Sequence, residues 1–222
     1  NAWGGSAAEA WVNRDVLENA GKYDELLEKW DTMAKGYDHE AAMAAYRERL
    51  ANWEKTKKGN RPRPPRNQLT GNHRPSNIYN GVLHPTIGYT IRGAIWYQGE
   101  SNGGEGITYY QKKHALVKGW RKAFQNPNLG FYWVQLCNFR KPGTTPGGGD
   151  GWAKIREAQT QALDLKHTGM AVIIDLADAH NPNDIHPKNK QDVGKRLALW
   201  ALRDVYAKRD ITVTGPTFKS ME

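Results

Sequence analysis

The sequence of 222 residues has a single cysteine, Cys137, and no apolar run near the roughly 20 residues that a membrane-spanning helix needs. One cysteine excludes an internal disulfide and a cysteine-based zinc site, and it leaves the redox compartment open. Cys137 sits in an apolar run and reads as core. The first residues carry neither a basic start nor a long apolar stretch of the signal-peptide kind, and the chain reads as if cut from something longer. Acids are also scarce: 23 Asp and Glu face 32 Lys and Arg, a formal charge of +9. With 38% hydrophobic residues, the composition still supports one globular domain with a substantial core.

The excess charge is concentrated. Between Leu50 and Ser76 seven cations (Lys55, Lys57, Lys58, Arg61, Arg63, Arg66, Arg74) meet one acid, Glu54, giving a net +6 in a stretch rich in Pro, Gly and Asn. A solvated basic loop is the simplest reading. A polyanionic partner (acidic glycan, membrane surface or RNA) is the other, because counterion release rewards polyanions regardless of sequence.

The opening Trp3-Gly4-Gly5-Ser6-Ala7-Ala8-Glu9 reads as a double-glycine turn before a helix, with Ser6 as N-cap and Glu9 closing a capping box. From Gly21 to Trp53 two stripes at helical spacing, Tyr23-Leu26-Leu27-Trp30-Ala34 and Met43-Tyr46-Leu50-Trp53, predict a helical hairpin. Together with the basic loop it resembles an insertion of about 21–76 between core segments, since compact α/β units join their elements in a few residues. His84, before Pro85, is expected to be extended and structural.

Beyond the insertion, three apolar runs alternate with helical patterns: a central strand from Gly93, a second over Phe131 to Leu136, and a third over Met170 to Asp175. The helices fall at Thr108 to Phe124, where His114 reads as a surface residue, at Trp152 to Leu163, and after Pro187, which suits a first helical turn. Lys141 to Gly151 reads as a mobile glycine-rich loop. Alternating strands and helices predict a parallel sheet covered on both faces.

Two places carry chemistry. The first strand breaks abruptly into Gln98-Gly99-Glu100-Ser101-Asn102-Gly103, at the end of a strand where ligands collect in open α/β sheets. Gly99-x-Ser101-x-Gly103 also matches the nucleophile-elbow pattern of hydrolases. The second is Asp184-Ile185-His186-Pro187, where a histidine fixed ahead of a helix and two residues after an aspartate suits a general base.

Taken together, Trp3-Gly4-Gly5, Tyr79-Asn80-Gly81, Trp96 to Asn102 and Asp184 through Leu202 resemble the sialate O-acetylesterase family of SGNH hydrolases. The resemblance implies a three-layer α/β/α flavodoxin-like fold with a parallel sheet. It also implies metal-independent, cofactor-free removal of O-acetyl groups from carbohydrates through an acyl-serine, and a secreted or periplasmic location. By resemblance, Gly5, then Gly4, lines the oxyanion hole, Gln98 supplies a side-chain donor within the loop Gln98-Gly99-Glu100-Ser101-Asn102, and His186 is the base. The usual Asp-x-x-His is altered, because Asn183 stands three before His186 and Asp184 two before. Either Asp184 or a backbone carbonyl near Asn183 then orients the ring. The family's Gly-Gln-Ser-Asn-type nucleophile block does not occur in these residues. The resemblance therefore implies the larger C-terminal part of one esterase domain, inactive alone, with the missing N-terminal segment as partner and Ser101 in the oxyanion loop. No nucleic acid or membrane partner is expected. Two rivals stay open: a self-contained α/β-hydrolase-like esterase using Ser101, Asp175 or Asp178 and His186, and a non-catalytic carbohydrate- or polyanion-binding protein.

Overall fold

The computed structural model describes residues 3–141, 143, 151–178, 180–216 and 220, so most of the glycine-rich loop between Lys141 and Gly151 lies outside the described residues. Three short parallel strands, β1 (Gly93–Trp96), β2 (Gly130–Gln135) and β3 (Thr168–Val172), form a sheet in the order β1-β2-β3. Ahead of them come α1 (Arg14–Glu18), α2 (Asp24–Gly36) and α3 (His39–Thr56); α4 (Tyr109–Ala123) and α5 (Gly151–Gln161) form the crossovers, and α6 (Lys190–Asp204) follows β3.

Alternation along β2 sorts the core into two sides. Phe131 and Trp133 pack with Leu116, Val117 and Trp120 of α4, and Tyr132 and Val134 pack with Val193 and Leu197 of α6. This is the period-two geometry of a strand covered on both faces. On the α4 side Trp96 meets Trp11 and Trp120 edge-on at 5.5 and 5.7 Å between ring centroids. Each such pair adds about 0.5–1.5 kcal/mol beyond burial. The mixed α/β fold and parallel sheet match expectation, as does the buried Cys137; α2 and α3 stand where the helical hairpin is expected, but they do not pack along each other.

Several expectations are corrected. Strand β1 is an edge rather than the centre: among the described residues it pairs only with β2, and Ile95 is 66% exposed. Ile95 is in register with Tyr132, on the side covered by α6, but α6 packs chiefly against β2 and β3. An apolar run indicates a buried strand without saying how many neighbours it has. Ser6 and Glu9 form no capping box. The N-cap is Ala7 without a side-chain bond, Ser6 Oγ accepts from Trp11 Nε1 at 2.8 Å, and buried Glu9 pairs with Lys112 at 2.9 Å.

His84 is helical (φ −52°, ψ −42°), because the wide turn Tyr79–Leu83 runs directly into the 3-10 turn His84–Thr86. His114 lies on the helix surface as expected, with its Nε2 2.8 Å from Asp164 Oδ1. Strand β3 ends at Val172, and Asp175 lies on a 3-10 turn where Arg196 clamps it with two 2.6 Å bonds. Pro187 precedes α6 rather than opening it, since Asn189 is the cap, accepting from Asp192 N at 3.1 Å.

Candidate active site

A cavity of about 1060 Å³ opens along the free side of β1, and Gly4, Gly5, Gln98, Glu100, Ser101 and His186 all line it. Residues far apart in the sequence thus converge at the C-terminal ends of the parallel strands. Gly99, Asn102 and Asp184 stand behind this lining. Trp3, half exposed, and Ile95 contribute apolar wall.

The double-glycine turn is shaped from outside. Asn72 Nδ2 donates to the Gly4 and Gly5 carbonyls at 3.0 and 2.9 Å, and its own carbonyl accepts from Ala7 N. Gly5 has φ +66°, a conformation that side chains other than glycine's adopt with strain. With both carbonyls held and both residues exposed, the Gly4 and Gly5 N–H groups have no hydrogen-bond partner among the described residues.

Gln98 is tied in on every side. Its Nε2 donates to Ser6 O at 2.8 Å and to Asn102 Oδ1 at 2.7 Å, while its Oε1 accepts from Tyr109 Oη at 2.8 Å. Asn102 is equally saturated: Oδ1 also accepts from Ala8 N, and Nδ2 donates to Glu9 and Glu105. Lys112 Nζ closes the network on Glu9 and Glu105 at 2.9 and 2.6 Å. This web locks the strand end to the glycine turn. Gly99 belongs to it by space, because a Cβ there would lie 3.0 Å from Leu136 Cδ1 and 3.1 Å from Gln159 Nε2.

His186 and Asp184 form a local unit. Asp184 Oδ1 accepts from His186 N at 2.9 Å and lies 3.2 Å from His186 Nδ1. One oxygen thus holds both the backbone and the ring, which leaves Nε2 as the basic nitrogen when Nδ1 carries the proton. The His186 side chain is 74% exposed at the cavity. Asp175 and Asp178 are engaged elsewhere, with Arg196 and Lys188 respectively. Arg196 holds the Asp175 carboxyl down to about 2.

Ser101 lies on the 3-10 segment Glu100–Thr108 and is absent from the residues with positive φ. An elbow serine sits on a sharp, strained strand-to-helix turn. Among the described residues no three of His, Cys, Asp and Glu are grouped to hold a metal ion.

Behind Gln98 lies a residue that the sequence pattern hides. Lys113 is wholly buried, with Nζ 5.1, 5.2 and 5.6 Å from the ring centroids of Trp133, Tyr109 and Trp96 and no hydrogen-bond partner. Burial lowers its pKa well below the ordinary amine value; desolvating an ion costs several kcal/mol, more than the rings return. The unfolded chain therefore binds this proton more readily, and wild-type stability rises with pH between the lowered folded value and about 10.4. Lys113→Met is expected to be more stable than wild type at low pH. Within that window the gap should close by up to about 1.4 kcal/mol per pH unit, read by urea denaturation of both proteins across pH.

A family model described as carbohydrate esterase, sialic acid-specific acetylesterase, matches residues 73–203. Human sialate O-acetylesterase is 32% identical over 170 residues, covering 71% of this chain and 32% of that protein. The rat enzyme is 28% identical over 242 residues, covering all of this chain and 42% of that protein. A crystal structure of a carbohydrate acetylesterase from Xanthomonas citri superposes with a TM-score of 0.69 at 33% identity, over 98% of this chain and 39% of that one. The chain spans between 32% and 42% of the length of these relatives.

Proposed function

Because the chain belongs to the sialic acid-specific acetylesterase family of carbohydrate esterases, we propose that it forms the base and oxyanion half of a carbohydrate O-acetylesterase whose attacking serine comes from outside these residues. The observation that carries the reading is the convergence of the Asp184–His186 pair and the open Gly4 and Gly5 amides on one cavity. The free edge of β1, with Ile95 uncovered beside it, supports an added parallel strand there as the source of that serine.

The chemistry follows general acyl transfer. The serine hydroxyl attacks the acetyl carbonyl and gives its proton to His186 Nε2, and the carbonyl oxygen becomes an oxyanion facing the Gly5 and Gly4 N–H groups. Collapse breaks the bond to the sugar oxygen, which takes the proton from His186. Water then attacks the acyl-serine with His186 again as base, releasing acetate and restoring the serine. Asp184 keeps the ring in the productive tautomer.

Gln98 pins the glycine turn through Ser6 O. It reaches the oxyanion with Nε2 only by releasing Ser6 or Asn102. Glu100 and Ser101 line the mouth where the sugar enters, and Gly99 and Asn102 support that loop. We assign residues 21–76 to an insertion in a single esterase domain, acetylated carbohydrate as substrate, and a secreted or periplasmic location in keeping with the family. Replacing Ser101 by alanine in the longer protein tests the reading; activity should persist.

A further inference from the structure

We infer that the groove between α3 and the basic loop is a binding site for an acidic polysaccharide, separate from the esterase cavity. The groove has a volume of about 770 Å³ and is lined by Tyr46, Asn60, Arg61, Pro62, Arg63 and Pro64. From Lys55 to Arg66 the chain carries six cations and no acid. Among the described residues none of these six forms an ion pair with a carboxylate, whereas Arg14, Lys112 and Arg196 elsewhere all do. Six unneutralised charges side by side repel one another, and an anionic ligand relieves that repulsion.

The groove is held in shape. Trp53 Nε1 donates to Gly59 O at 3.0 Å at one end, and Tyr37 Oη donates to Arg66 O at 3.0 Å at the other. Pro62, Pro64 and Pro65 restrict the segment between. A loop already fixed loses little further entropy on binding.

The same geometry disfavours RNA as occupant. Single-stranded nucleic acids bind through open aromatic faces on which bases stack. Here the Trp53 ring is covered by Lys57 Nζ at 4.4 Å and approached by Arg61 at 6.0 Å, and Tyr46 is partly buried. What the groove presents is guanidinium groups, which bind carboxylates bidentately, beside the Asn60 amide and the Tyr46 hydroxyl, which suit sugar hydroxyls. Preferring a sugar polymer to other polyanions rests on the esterase reading; the affinity for anions does not. Asn72, just beyond the loop, holds the Gly4–Gly5 turn, so a polymer bound here lies on the same chain segment that shapes the oxyanion site.

The test is calorimetric titration of the longer protein with polygalacturonate, neutral dextran and polyadenylate RNA at about 0.15 M salt. It involves no ester, so its failure is distinct from failure of the esterase reading. Saturable polygalacturonate binding is expected, with dextran silent and RNA weaker. Arg61→Ala/Arg63→Ala/Arg66→Ala should weaken binding by about tenfold or more, since each exposed charged contact contributes up to ~1 kcal/mol. The single Arg63→Glu change should weaken it in the same direction, and Lys166→Ala/Lys208→Ala should leave it unchanged. No binding to polygalacturonate, equal binding of RNA or dextran, or unaltered affinity in both arginine variants would overturn the proposal.

Discussion

His186→Ala in the longer protein is expected to lower kcat for acetyl-ester hydrolysis by about 10²–10⁴-fold, the range of a positioned general acid–base. The expectation rests on position. Asp184 Oδ1 fixes both the backbone and the ring of His186, and the exposed ring faces the cavity that holds the glycine turn. Because the side chain is exposed, the substitution removes little packing and the fold should persist. KM should change far less than kcat, since the ring acts on a proton moved in the transition state. Parallel circular dichroism and steady-state assays with an aryl acetate check this. A variant that folds and keeps its kcat would remove His186 from the mechanism.

Gln98→Ala is expected to cost about 10²–10³ in kcat, the usual effect of losing an oxyanion-hole donor. Two routes lead to that loss. One is direct, through the Nε2 donor. The other runs through the turn, because the bond to Ser6 O links the strand end to the segment that presents the Gly4 and Gly5 amides. Gln98→Glu separates them from mere packing. It keeps the shape but turns an oxygen toward Ser6 O and Asn102 Oδ1, so activity should fall as far as in the alanine variant. Full activity in Gln98→Glu would mean that the side chain only fills space.

How much of this was legible in the sequence depended on how local each feature is. Asp184 and His186 are two residues apart in one loop, so their contact at 3.2 Å lies within reach of a local reading. Helices α2 and α3 were legible as helices from their spacing, but the stripe on α3 buries no residue and the two helices do not pack along each other, which spacing alone does not reveal. The end of the first strand marked the stretch Gln98–Asn102 and the family resemblance singled out Gln98, but its bonds to Ser6 and Tyr109 span 92 and 11 residues, and no spacing rule reaches them. Glu9 fitted a capping box on paper. Its burial beside Lys112 of α4 is a tertiary contact and prevails over the local pattern. Lys113 shows the same limit in reverse, for a lysine on an amphipathic helix is ordinarily read as surface, yet three aromatic rings enclose this one.

The central claim is that this chain supplies the base and the oxyanion site while the attacking serine lies elsewhere. Ser101 is the residue that contests it. It lines the same cavity as His186, but it stands on a 3-10 segment without the strained backbone of an elbow. The most direct measurement is kcat of Ser101→Ala in the longer protein with an acetylated sugar as substrate. The account predicts a rate within about tenfold of wild type, because deleting a nucleophile removes most of an acceleration that in enzymes exceeds about 10⁶. Loss of activity by several orders of magnitude, with folding intact, would contradict it and make Ser101 the nucleophile.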